Sequence, residues 1–177
     1  MRRSLLGATL FSVVAGCSFD PERAHLIDSL GDEKPGVPPG PLHRSGQPCV
    51  ACHDGGGPGS SVFSFGGTVY QSLAGPAPLS DALVRFIDAT GRKYETGTNC
   101  GGNFFVMKDD YNPSFPVWVK LVFGMVDGKP ANFNMGSPIY REGSCTKCHA
   151  DAPGRESVGH VYISENPIVL PSRPCTQ

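Results

Sequence analysis

Two short segments restrict the folds open to this chain more than anything else in it: Cys49-Val50-Ala51-Cys52-His53 and Cys145-Thr146-Lys147-Cys148-His149. Both read C-x-x-C-H. Thiols three positions apart reach the two vinyl groups on one edge of a haem, and the next residue offers an imidazole to the iron. A fold built from this chain must therefore present two such segments, although 92 residues separate Cys52 from Cys145, and must leave room for a macrocycle beside each. The spacing predicts two covalent c-type haems, attached at Cys49, Cys52, Cys145 and Cys148, with His53 and His149 as the proximal iron ligands. The competing chemistry is a single zinc site held by all four of these cysteines, because a repeated C-x-x-C is also a zinc pattern. A histidine directly after each pair has no task in such a site, and zinc ribbons use much shorter gaps. Haem is the reading adopted, and zinc is the alternative.

The start of the chain sets the compartment. Arg2 and Arg3 precede an apolar run from Leu5 to Val14, and Val14-Ala15-Gly16-Cys17 closes it with small residues. That is the layout of an export signal. The run falls short of the roughly 20 apolar residues that a membrane span needs, and no later stretch approaches that length. The Val-Ala-Gly-Cys ending resembles a bacterial lipobox, which implies that Cys17 is lipidated and becomes the first mature residue. Ser18 at the next position resembles lipoproteins sorted to the outer membrane. The expectation is an exported bacterial lipoprotein of the cell envelope, held to the membrane by its lipid and facing the periplasm or the cell surface.

Export fixes how the seven cysteines are shared out, since an oxidising compartment leaves few stray thiols. Cys17 takes the lipid and the two motifs take four more. Cys100 and Cys175 remain as a candidate disulfide that would tie the C-terminal tail to the middle of the domain.

Five histidines are present. Beyond His53 and His149, His43 lies ten residues before the first motif histidine and His160 eleven after the second. Each is the candidate distal ligand of its haem, with His25 left over. Bis-histidine ligation would favour low potentials and electron transfer. His160 has a competing explanation as a strand residue, because Gly159 to Ser164 alternates like a β-strand with His160, Tyr162 and Ser164 on one face. Met107, Met125 and Met135 are substitutes whose thioethers would raise the potential, although a lone methionine is more often core packing. A peroxidase-like haem enzyme would need an open sixth position, a question that turns on His160.

About 160 residues follow Cys17, enough for one domain with a modest core. Asp20, Pro21 and Glu22 read as the start of a short helix that ends before Gly31. The next stretch, GDEKPGVPPG, reads as an extended, semi-rigid spacer or as plain disorder. The expected organisation is a signal peptide over 1–16, a lipidated N-terminus and Pro/Gly-rich tether over 17–42, and a single domain over 43–177. Removing Arg2 and Arg3 with the leader takes the formal charge from −1 to −3, and nothing in the charge pattern suggests nucleic acid.

With 23 glycines and 17 prolines, the chain sets its apolar residues in short β-branched and aromatic runs, which favours strands and turns over helices. Strands are expected at Val62–Tyr70, Leu83–Asp88, Asn103–Met107, Val117–Phe123 and Val158–Ser164, with turns at Ala89-Thr90-Gly91 and Asp127-Gly128. The stretch from Gly66-Gly67-Thr68-Val69-Tyr70, through Ala82-Leu83-Val84 and Asp88-Ala89-Thr90-Gly91, to Gly102-Asn103-Phe104 resembles the carboxypeptidase regulatory-like, transthyretin-like domains. The resemblance covers about 60 residues. It implies a mainly β, Ig-like sandwich, here with haem-binding loops and a flexible N-terminal tether; Cys100 and the haem motifs lie outside that family's usual pattern. Trp118, Tyr111 and Phe115 would line a ligand face in a binding protein, while core packing explains them more simply.

No catalytic triad, phosphate loop or metal-activated-water motif is present. The expected function is a membrane-anchored dihaem electron carrier, not an enzyme, with redox partner proteins at the envelope. The alternative is a surface lipoprotein whose binding or structural sandwich is stapled by zinc or disulfides.

Overall fold

The computed structural model describes residues 20–177 except 127, 152, 156, 169, 171–174, 176 and 177; Cys17 and the leader lie outside the described residues. Among the described residues eight strands form two four-stranded sheets, a β-sandwich as expected. In chain order they are β1 (Phe63–Ser72), β2 (Gly75–Pro78), β3 (Leu83–Ile87), β4 (Lys93–Gly97), β5 (Asn103–Met107), β6 (Trp118–Val126), β7 (Lys129–Asn134) and β8 (Val161–Ser164). One sheet runs β2-β1-β5 with β8 also on β1, and the other runs β4-β3-β6-β7. Among the described residues no helix is long and apolar enough to cross a membrane.

The core follows from side-chain alternation along the strands. Phe65 and Val69 of β1, Val84 and Phe86 of β3, Phe104 and Val106 of β5 and Leu121 of β6 are buried, joined by Leu79, Tyr111, Val117 and Ile163. The Phe65 and Phe86 rings stack at 4.5 Å across the two sheets. Tyr111 and Phe115 belong to this core. Trp118 does not: it is half exposed on the outer side of β6, so core packing fails to account for it.

Asp88 shows why the β3–β4 turn forms where Asp-Ala-Thr-Gly stands. Its carboxylate accepts from Thr90 Oγ1 at 2.6 Å and from the N–H groups of Thr90 and Arg92 at 2.9 and 3.0 Å, and Gly91 takes φ +83°. The Thr90 hydroxyl and these N–H groups hold the buried carboxyl below its ordinary range. The β6–β7 turn is equally tight, with Val126 paired to Lys129 and Gly128 at φ +74°.

Three strands lie outside the sequence expectation, and each has a weak local signal. The two prolines of β2 (Gly-Pro-Ala-Pro) and Pro130 of β7 are tolerated because both strands sit at sheet edges, where a missing N–H costs no ladder bond. The largely polar β4 is the opposite edge of the second sheet. β8 is shorter than expected and begins at Val161, leaving His160 just before it.

The N-terminal helix α1 (Pro21–Ser29) is capped by Asp20, whose side chain accepts from the N–H groups of Glu22 and Arg23 at 3.1 Å. Gly31, at φ +65°, follows its end. The segment after it is not a free spacer. Glu33 lies 3.1 Å from His43 Nδ1 and 3.5 Å from Arg44 Nε, Arg44 also donates to Gly31 O at 2.9 Å, and Arg23 pairs with Asp54. Ion pairs thus fold the expected tether back onto the first motif.

Candidate functional site

The first motif is a five-residue helix, α2 (Cys49–His53), lying on β1. Gly66 makes this approach possible: a Cβ there would lie 2.8 Å from Cys49 Cβ. The Gly55–Gly59 run then folds tightly back over the helix. A Cβ on Gly57 would reach 2.5 Å from Cys52 O, and one on Gly59 would strike the His53 ring. This return brings Ser61 O to 2.9 Å from His53 Nδ1, and His53 stacks on Phe63 at 4.3 Å, with Phe63 stacked on Phe105 at 5.1 Å.

The second motif is built the same way from different residues. Cys145–Lys147 form a 3-10 turn, and His149 N–H donates to Cys145 O at 2.9 Å. The loop that follows returns through Ser157 and Val158, whose hydroxyl and N–H both reach Cys148 O. Gly159 O then stands 3.1 Å from His149 Nδ1. In both motifs a strand begins two residues after that carbonyl, at Phe63 and at Val161, and these strands, β1 and β8, pair in parallel. The segment entering the second motif lies on the same strand, with Ser144 bridged in parallel to Gly66 and Gly66 N–H donating to Gly143 O at 3.0 Å. A Cβ on Gly67 would lie 2.8 Å from Cys145 Cβ. Adjacent glycines of β1 thus carry both motifs.

None of the four motif cysteines is in a disulfide. Burial pushes the Cys49 thiol up to about 11 and the Cys145 thiol up to about 12, and it raises Cys52 as well. Among the described residues no group of three or more His, Cys, Asp or Glu side chains stands together as a metal site. Cys100 and Cys175 are joined, with Cα atoms 5.4 Å apart.

Beside the second motif lies a cleft of about 890 Å³, near the upper end of the usual range for ligand pockets. Its floor is apolar core, including Val69, Val84, Phe104 and Leu121, and its wall carries Cys145, Cys148 and His149. Residues 133–142, Met135 among them, also line it.

The candidate distal histidines are placed differently. His43 holds its ring centre 6.0 Å from that of His53, at 61° between planes, with Nδ1 turned to Glu33. His160 also lines the large cleft, but both its ring nitrogens are engaged, Nε2 with Ser72 O at 3.0 Å and Nδ1 with Asp151. His25 is exposed on α1, Met125 is exposed, and Met107 is half-buried at the end of β5. The exposed Lys147 pairs with Glu142 at 2.8 Å.

Sequence reasoning missed the residues that hold the His43 loop. Asn99 Nδ2 donates to Pro41 O at 2.7 Å, Asn103 Nδ2 reaches Pro41 O and His43 O at 3.2 Å, and Thr68 Oγ1 bridges Asn103 to Gly46 N–H. Their signal was faint: polar side chains at or beside strands on a face that is covered by the chain itself. Compared with models of known families, with curated proteins and with solved structures, the chain matches none of them.

Proposed function

We propose that this chain is a lipid-anchored dihaem c-type cytochrome that carries electrons at the cell envelope. One repeated observation carries the reading: in each C-x-x-C-H the histidine has Nδ1 on a backbone carbonyl, Ser61 O for His53 and Gly159 O for His149. Metal-bound histidines are commonly held this way, because the second nitrogen's hydrogen bond fixes the ring and directs Nε2 to the metal. A structural histidine after a zinc or disulfide pair needs no such arrangement, and here it occurs twice in unrelated sequence.

The residues present fit the group. Cys49 and Cys52, and Cys145 and Cys148, would form the thioethers, with His53 and His149 as proximal ligands. The apolar cleft beside the second motif supplies walls for a macrocycle. Bound haem would supply one-electron redox chemistry; the protein orients it, limits water and sets its potential through the distal side. His43 is the distal candidate for the first haem. The engaged nitrogens of His160 weigh against it as the distal ligand of the second unless it leaves Ser72 and Asp151. Both motifs rest on β1, which favours two haems close enough to exchange electrons directly.

Location follows from the leader, where Cys17 as a lipid attachment point would hold the domain at a membrane. The likeness of the middle stretch to carboxypeptidase regulatory-like domains agrees with a sandwich used as scaffold. The test is the alkaline pyridine spectrum of protein made with c-type maturation machinery. Two c-type haems per chain support the reading; none would leave the binding or structural sandwich stapled by zinc or disulfides as the better account.

A further inference from the structure

We propose that the outer face of the β4-β3-β6-β7 sheet is the surface on which an acidic redox protein docks; this rests on the dihaem reading above. On that face the register sets Ile87 between Lys93 and Trp118, and in the next row Arg85 between Glu95 and Lys120. Ile87 and Trp118 are 40 % and 50 % exposed, an apolar centre that the fold leaves uncovered. They flank a concavity of about 480 Å³. Arg85 Nε lies 2.6 Å from Glu95 Oε1, an ion contact without hydrogen-bond geometry, so Glu95 offsets one of the three cations. Two net positive charges therefore frame the apolar centre of a chain whose total charge is −1.

An aromatic anchor in a recess with charges around it is the anatomy of a protein-binding hot spot, and the rim charges select a partner of opposite sign. A second copy of this chain would set like charges against each other. A flat membrane would not fill a recess. The position also suits electron transfer: Val119, Asn134 and Met135 line both this concavity and the large cleft beside the second motif. A partner seated over Trp118 would be separated from that cleft by little more than these side chains.

The test maps anion binding on the reduced, haem-loaded protein by NMR, with the redox-inert paramagnetic trianion tris(oxalato)chromate(III) as first probe and oxidised flavodoxin, an acidic electron-carrier protein, as second. Trp118 is the only tryptophan, so its indole N–H is an unambiguous reporter. The expected result is broadening by the trianion, and shifts caused by flavodoxin, centred on Trp118 and Ile87. Flavodoxin affinity should fall about fivefold or more at low salt in Lys93→Glu and in Lys120→Glu, with the difference closing at high salt. Lys129→Glu, at the far end of the same sheet, should change it much less. A map centred elsewhere, an equal loss in Lys129→Glu, binding of the trianion without flavodoxin, or displacement of flavodoxin by phosphatidylglycerol vesicles would each overturn the proposal. Intact mass of the same sample reads haem content separately, so loss of the dihaem reading is distinguishable from loss of the docking surface.

Discussion

Cys49 and Cys145 rest on neighbouring residues of one strand: each has its Cβ 2.8 Å from where a side chain would begin, on Gly66 and on Gly67 respectively. A strand with its side chains alternating between faces can seat two segments this closely only if both positions lack a Cβ. The glycine pair is therefore a paired seat for the two motifs.

The two seats are separable by substitution. Gly66→Ala should displace α2 and lower haem incorporation at the first motif, while Gly67→Ala should do so at the second. Each is expected to cost about 1–3 kcal/mol through overpacking. Thermal melts and peptide mapping of haem-bearing fragments check both. Equal effects on both motifs would show that the glycines matter only for general stability.

The two candidate distal histidines should behave unequally. His43→Ala is expected to change the spin state and potential of the haem at His53 and to leave the other unchanged, because His43 lies 6.0 Å from His53 by ring centres. His160→Ala removes contacts to Ser72 O and Asp151, so it should lower stability and leave the axial spectrum of the second haem unaltered. Low-temperature EPR of the oxidised variants separates the two haems. Loss of a low-spin signal in His160→Ala would instead make that histidine a ligand.

Acid should loosen the β3–β4 turn. The Asp88 carboxyl is held below its ordinary range by the Thr90 hydroxyl and backbone N–H groups. Its contribution to stability is thus present in full above the unfolded-chain pKa of about 3.9 and is lost as the pH falls through the lower folded value. Asp88→Asn should melt at lower temperature than the parent at pH 7, with the gap narrowing below about pH 4. A gap unchanged down to pH 2 would refute the assignment.

Much of this arrangement was legible in the sequence, and the gaps have physical reasons. The C-x-x-C-H motifs, the Cys100–Cys175 pair, the Asp20 cap and the strands around Phe65, Phe86 and Phe104 each carry a local signal of spacing or alternation. β2, β4 and β7 do not, because an edge strand can be polar or proline-containing without penalty. The convergence of the motifs was invisible for a different reason: it depends on the parallel pairing of β1 with β8, which no local pattern encodes. The tether illustrates a further limit, since its prolines suggest a spacer while Glu33 and Arg23 form ion pairs that only the folded chain reveals.

The Cys100–Cys175 link spans 75 residues, a loop long enough for a disulfide to stabilise the fold by about 3–5 kcal/mol. Cys175→Ser should lower the melting temperature and free the tail to proteolysis at its C-terminal end. Haem content should stay the same, because neither residue belongs to a motif. Loss of haem in this variant would tie the tail to maturation and contradict its role as a staple.

Covalent attachment at both motifs is read by the intact mass of the exported mature protein, beside that of a Cys148→Ala variant. The expected mass is that of the processed chain plus two haems, with the haem at the second motif lost or unstable in the variant. A mass equal to the bare processed chain, from cells that mature a control c-type cytochrome, would contradict it.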